Sequence, residues 1–294
     1  MMKLAKLKIA VLGGDKREEI LVGSLRAAGA EVLTVGYPPV EGATAMSLES
    51  AVTIADAIIA PMSNTDDEGF IRAVPTGEKL QLSGELLQKA RPETPFLIGL
   101  AKPKVESWAK AAQLRLVELG ELDELAIPNA IPTAEGAVQL AMEKLPITIH
   151  NSRTLVLGFG RCGSILAKLL AAMGAKTTVA ARRPSQLAMA QAWNLKTCSL
   201  EDLGARIGKF DLIFNSIPSK VLTAELLAKT KAEVLIIDLA SAPGGVDFTA
   251  ATQLKREAIL ALGLPGKVAP QTAGQILADV IPTLILRLVQ SRAH

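Results

Sequence analysis

The chain is poor in aromatic residues, which make up 3% of 294 positions, with one Tyr and two Trp. Proteins that hold single-stranded nucleic acid stack bases on aromatic side chains, so that class finds no support. Excess charge is also lacking. The net charge is +3, and no stretch concentrates basic residues as a phosphate-backbone binder would. Cys162 and Cys198 are the only cysteines. Neither sits in a Cys-x-x-Cys pair, so both read as reduced thiols of a cytoplasmic protein. The only histidines are His150, in a linker, and His294, at the terminus. The loops of the second half therefore offer no imidazole base of the kind a 2-hydroxy-acid dehydrogenase uses. No residues show metal-ligand spacing, and no metal is expected. Residues Met1 to Lys8 mix lysines with apolar residues and run into a strand, unlike a secretory signal. Ile276–Val289 is interrupted by Asp279, Pro282 and Arg287 and reads as too short to cross a bilayer, so no membrane role is expected.

What is present is an ordinary globular balance, 49% apolar and 21% charged, over a length that suits two domains. Short apolar runs alternate with helical patterns. Lys8–Leu12 reads as a buried strand ended by Gly13-Gly14. Asp15 and Glu18 then have capping-box spacing for a helix to about Ala28. Further strands are expected at Glu31–Val35, Ala57–Ala60, Phe96–Leu100 and Leu114–Leu119. A helix is expected from Thr133, after Pro132, to about Leu145, followed by a linker at Ile147–Asn151. A second alternating unit has strands at Thr154–Leu157, Thr177–Ala180, Leu212–Asn215, Val234–Asp238 and Ile259–Ala261. The last helix is expected from Thr272, with Gln275 at capping-box spacing, to Gln290. The expected fold is α/β, two Rossmann-like doubly wound domains with parallel sheets. Residues 1–148 with 273–294 would form a substrate domain and residues 149–272 a nucleotide domain, joined by hinges near Ile147–Asn151 and Pro270–Thr272 around a substrate cleft.

The run Leu155-Val-Leu-Gly-Phe-Gly-Arg-Cys-Gly163 carries the main chemical signal. A G-x-G-x-x-G between a strand and a helix is a dinucleotide fingerprint. Gly158 permits the tight turn, Gly160 lets the pyrophosphate approach, and Gly163 lets helix and strand pack closely. Phe159, Arg161 and Cys162 share that loop. A glycine-rich turn without a ligand is the competing reading. The second strand ends in Val179-Ala-Ala-Arg-Arg-Pro184. Ala181 stands where an NAD site places its acid, and Arg182 and Arg183 can pair with a 2′-phosphate, so NADP is the expected cofactor. A solvated turn is the alternative. Asn215, Ser216, Ile217 and Pro218, with Asp238, Ala240 and Ser241, end two later strands where a cofactor would lie, although plain loop chemistry explains such residues equally well.

Three segments suit an anionic substrate. The first is Gly13-Gly-Asp-Lys-Arg17, with Arg17 as the donor, although its own Asp15 weakens that reading and exposure of both Lys16 and Arg17 is the alternative. The second is Ile131-Pro-Thr-Ala-Glu-Gly136, with Thr133 and Glu135. The third is Leu264–Gly274, where Lys267, Gln271 and Thr272 precede a capped helix. No residue declares itself as a catalytic base.

Taken together, Ile9–Asp15, Gly158–Gly163, Asp211–Pro218, Ile237–Asp247 and Leu264–Gly274 resemble the A-subunit family of dipicolinate synthases of spore-forming bacteria. The last two stretches are the more specific. The resemblance covers nearly the whole chain. It implies a formate/glycerate-dehydrogenase-like arrangement and oxidation of dihydrodipicolinate, a small dicarboxylate, with NADP during sporulation. It also implies a partner, a flavoprotein-like B subunit. A homo-oligomer is expected as well. Two other readings stay open: an NADP-dependent dehydrogenase or reductase of another small carboxylate, and a regulatory protein that binds NADP without turning it over.

Overall fold

The structure is a computed structural model that describes residues 4–291. The chain divides into two compact units, residues 1–126 with 269–294 and residues 127–268. In the first unit the elements run β1 (Lys8–Leu12), α1 (Lys16–Ala27), β2 (Glu31–Val35), β3 (Thr44–Ala45), α2 (Leu48–Ile54), β4 (Ala57–Ile59), α3 (Gly84–Leu87), β5 (Pro95–Ile98), α4 (Pro103–Ala111) and β6 (Arg115–Glu118). Helix α5 (Asp123–Lys144) contains the division. The second unit continues with β7 (Arg153–Leu157), α6 (Arg161–Ala172), β8 (Lys176–Ala181), α7 (Pro184–Ala192), β9 (Lys196–Ser199), α8 (Leu203–Arg206) and β10 (Leu212–Asn215). It closes with α9 (Ala224–Ala228), β11 (Leu235–Asp238), α10 (Phe248–Gln253), β12 (Glu257–Leu260) and α11 (Leu264–Val268). Helix α12 (Pro270–Gln290) returns to the first unit.

Both sheets are parallel throughout and six-stranded. The first runs β3-β2-β1-β4-β5-β6 and the second β9-β8-β7-β10-β11-β12, the same order twice. The expected doubly wound class is what the chain adopts. Central strands such as β5, β10 and β11 are buried along their whole length, which is why their sequences read as continuous apolar runs. The order reverses between β1 and β4 in one unit and between β7 and β10 in the other. Ligands of such sheets bind at that reversal, outside the carboxyl ends of the strands.

Some local expectations need correction. Helix α5 begins at Asp123, ten residues before the expected start, and passes through Pro128 and Pro132. Each proline removes one helical hydrogen bond. The helix persists because its small face is buried: Ala134, Ala137, Val138 and Ala141 pack with Leu166 and Leu170 of α6. The same packing puts residues 127–148 in the second unit, where the sequence reading placed them in the first. Helix α12 starts at Pro270, capped by Ala269 with no side-chain bond, so Thr272 is inside the helix and forms no capping box. The expected loop before it is partly helical, as α11. At 21 residues α12 is also long and apolar enough to cross a membrane by length and composition, contrary to the expectation. Half of that stretch is buried inside the protein, with Leu277, Ile281, Ile285 and Leu288 in one core with Leu21, Val22 and Leu25 of α1.

Candidate functional site

The β7/β10 reversal holds the glycine motif. Gly158 follows β7 with φ +91°, a region that favours glycine, and a Cβ there would lie 2.5 Å from Ser216 Oγ. Gly163 lies in the first turn of α6, and a Cβ on it would overlap the Gly158 carbonyl. Helix and strand approach each other only because it is glycine. Gly160 caps α6 in extended conformation, has no side chain to occupy the first-turn amides, and would meet nothing within 4 Å if it carried a Cβ. An open cap and a positive helix end fit a pyrophosphate. The residues present thus suit a dinucleotide.

The neighbours divide into shaping and exposed groups. The Phe159 ring is buried against Trp193, centroids 5.4 Å apart, while Gln186 Nε2 donates to the Phe159 carbonyl at 3.1 Å. Phe159 therefore props the loop rather than facing a ligand with its ring. Arg161 begins α6, and beside it the Cys162 thiol is pushed up to about 11 by burial and stays protonated at neutral pH. Burial likewise raises the Cys198 thiol. Ala181 ends β8 and is buried, and Arg182 and Arg183 follow it in solvent. Neither guanidinium has an ion-pair partner among the described residues.

At the ends of β10 and β11 the expected contact residues are tied to each other. Asn215 and Asp238 are fully buried. Asn215 Nδ2 donates to Asp238 Oδ1 (2.8 Å) and to the Ile217 carbonyl (2.9 Å), and Asn215 Oδ1 accepts from Ile217 N (3.1 Å). Asp238 also accepts from Ala240 N (3.0 Å) and Gly245 N (2.7 Å). Ser216 Oγ donates to the Leu157 carbonyl at 2.9 Å. These side chains fix the two loops, and Pro218 and Ser241 are the members left exposed. His150 lies before β7, at the amino end of that strand, against Gly174. It is at the end of β7 opposite the glycine motif. His294 lies outside the described residues.

The substrate candidates are dispersed over both units. Thr133 is in the interior of α5, where its Oγ1 donates to the Asn129 carbonyl at 2.7 Å, and the expected turn is absent. Glu135 lines a surface groove with Val138, Met142, Leu169 and Met173. Lys267 is exposed on α11, whose Leu264 and Val268 pack on Gly136 of α5. Gln271 and Thr272 are exposed in the first turn of α12. The amide of Ala273 is already bonded to the Ala269 carbonyl (3.0 Å), so the free donors expected after Thr272 are not there. One turn on, Gly274 packs on Ile20 and on the Arg17 backbone.

Arg17 is 7% exposed. Its Nε and Nη2 donate to the two Asp15 oxygens at 2.9 and 2.8 Å. Burial would raise the Asp15 carboxyl, but Arg17 holds it below the usual range. Glu18 completes the capping box and is 1% exposed. Burial pushes its carboxyl above the ordinary value despite Arg17 alongside. Burial and the nearby carboxylates also raise the Tyr37 hydroxyl, which donates to the Gly13 carbonyl at 2.5 Å. Sequence spacing showed the cap but could not show that this cluster is buried.

Comparison with known proteins follows the same division. The family model for the N-terminal domain of the dipicolinate synthase A subunit matches residues 8–120, and that for shikimate / quinate 5-dehydrogenase matches residues 139–258. The dipicolinate synthase A subunit of Bacillus subtilis is 37% identical over 290 residues, 97% of this chain and 98% of that protein. Crystal structures of the A subunit from Bacillus subtilis and Bacillus halodurans align with TM-scores of 0.91 and 0.91, at 37% and 34% identity. They cover 99% and 96% of this chain and 99% of each of theirs. A transhydrogenase from Sinorhizobium meliloti, 15% identical, shares the fold at a TM-score of 0.66 over 96% of this chain and 94% of its own. With a relative at this identity over almost its entire length, the chain belongs to the dipicolinate synthase A-subunit family.

Proposed function

We propose that this chain is the oxidoreductase component of a dipicolinate synthase, converting dihydrodipicolinate to dipicolinate with NADP in sporulation. The full-length relation to the A subunit carries the reading. The open Gly160 cap supports a dinucleotide, and buried Ala181 followed by two unpaired arginines supports a 2′-phosphate on it. When bound, the nicotinamide supplies the acceptor for the hydride lost from the dihydropyridine ring, whose second hydrogen leaves as a proton as the ring becomes aromatic. Aromatisation supplies driving force, so a histidine base is not demanded. First-turn amides of α6 would hold the pyrophosphate, and Arg182 and Arg183 the ribose phosphate. The Asn215–Asp238 pair would keep the loops after β10 and β11 in place beside it. The relative's designation as one subunit of a synthase supports a second polypeptide in the working enzyme, here taken as a flavoprotein-like B subunit. Arg17 in the first unit, or Lys267 in the second, is the cation proposed for a substrate carboxylate.

The test is turnover by the purified chain, alone and with the second polypeptide. Dihydrodipicolinate and NADP should give dipicolinate and NADPH in equal amounts. Tight NADP binding with no NADPH formed under either condition would leave a nucleotide-binding protein of another kind.

A further inference from the structure

The first sheet has its own order reversal, between β1 and β4, and strand order alone gives it the same claim to a ligand as the second. The loops that meet there are Gly13–Asp15, after β1, and Ala60–Thr65, after β4. Glu18 locks them together, accepting from Asp15 N through Oε2 (2.8 Å) and from Met62 N through Oε1 (2.9 Å). Asn64, at φ +65°, accepts from Leu100 N of the loop after β5 at 2.6 Å. The main chain of the β4 loop is thus held from two sides.

Its hydroxyls are not. Ser63 Oγ is buried and has no hydrogen-bond partner, and the same holds for Thr65 Oγ1, whose residue is 0% exposed. They are the two buried side-chain polar atoms without a partner among the described residues. A buried hydroxyl left unpaired is costly, and a tightly braced loop that keeps two of them calls for an acceptor. A cation in the first turn of α1, next in sequence to the Glu18 that braces this loop, points to which acceptor. Asp15 uses the Nε and Nη2 edge of Arg17, which orients the guanidinium and leaves Nη1 without a partner among the described residues. A hydroxyl donor and a fixed guanidinium edge match a carboxylate.

We propose that the β1/β4 reversal of the first unit is a carboxylate-binding site, with the Ser63 hydroxyl and Arg17 Nη1 as its donors, taking one carboxylate of a small cyclic dicarboxylate. The choice of a cyclic dicarboxylate rests on the function proposed above. The site itself rests on the unpaired hydroxyls and the oriented arginine. Ser63 is the specificity residue, since its donor has no structural employment, and Glu18 is a positioning residue that sets the loop.

Calorimetric titration of the full chain with pyridine-2,6-dicarboxylate, malonate and acetate tests it, with NADPH binding followed by nicotinamide fluorescence. Ser63→Ala should weaken binding of the dicarboxylates about tenfold. It should leave NADPH binding unchanged and the melting temperature equal or higher, because the lost hydroxyl has no partner in the protein. Arg17→Lys, which keeps the charge but not the planar edge, should weaken the same ligands. Carboxylate binding that is absent in the wild type, or indifferent to Ser63→Ala, overturns the site. Ser63-dependent binding of malonate without binding of pyridine-2,6-dicarboxylate keeps the site and removes the substrate reading instead.

Discussion

The two units have one strand order and opposite first turns. In the first, the turn after β1 is filled by the protein's own acids: Asp15 caps α1, pairs with Arg17 and is bridged to the β4 loop by Glu18. In the second, the turn after β7 is left open by Gly160. Topology therefore supplies two equivalent places, and a single cap position decides which can receive a phosphate. An acidic cap satisfies the helix amides internally, so a ligand there must use other donors, whereas a glycine cap leaves the amides for a phosphate.

That contrast breaks most directly by making the second turn resemble the first. Gly160→Asp fits the extended φ of −95° and has open space around it. It should leave stability unchanged or higher by a few tenths of a kcal/mol, since Asp and Gly differ little at the cap. NADP binding should fall more than about a hundredfold, from carboxylate repulsion and loss of the amides. Binding that survives in a titration would mean that the phosphates are held elsewhere.

Emptying the first turn is the reverse test. Asp15→Ala removes a capping box and the partner of a nearly buried arginine. Urea denaturation should show a loss of about 2–3 kcal/mol, roughly 1 from the cap and the remainder from a pair whose Asp15 end is partly solvent-screened. NADP affinity should not move.

Within the second unit, Ala181→Asp with Arg182→Ala should reverse cofactor preference. The arginine's charge-assisted bond is worth about 1.5–3 kcal/mol, so NADP should lead NAD by about tenfold or more in the parent and trail it in the variant. Equal affinity of the parent for both cofactors would remove Arg182 from the site.

The smallest effect is a pH slope. Glu18 is raised in the folded state, so its contribution is fully present below the ordinary value of 4.5 and is lost as pH rises through the folded value. Asp15 is lowered, so its contribution is present above 3.8 and is lost as pH falls through its folded value. Glu18→Gln should flatten the decline in stability above pH 4.5 while costing about 1 kcal/mol at lower pH for the bond that an amide cannot accept. A parent whose stability rises over that range would reverse the assignment.

How much of this was legible depends on whether a signal is local. Central strands declared themselves as apolar runs, and the Asp15/Glu18 box as a spacing. The edge strands Thr44–Ala45 and Lys196–Ser199 escape such a reading because an exposed edge needs no apolar run. Pro128 and Pro132 hide the start of α5, whose persistence comes from tertiary burial rather than propensity. The glycine motif is readable because each glycine answers a local steric demand. Asn215 and Asp238 look like ligand contacts from their place at strand ends, yet they bond to each other across 23 residues of sequence. Ser63 offers no sequence signal at all, since what marks it is a partner that is missing.

The return of the last helix has a consequence for how the protein is made. Helix α12 supplies Leu277, Ile281, Ile285 and Leu288 to the core that also holds Ile9, Val11, Leu21 and Leu25 from the beginning of the chain. The second unit is one contiguous stretch, 127–268, and can close as soon as the ribosome has released it. The first unit, begun earlier, must wait with that apolar seam uncovered until α12 has been made. The unit begun earlier is thus the later one to be completed, and a chain cut short anywhere before Pro270 would leave that unit unsealed and prone to aggregate.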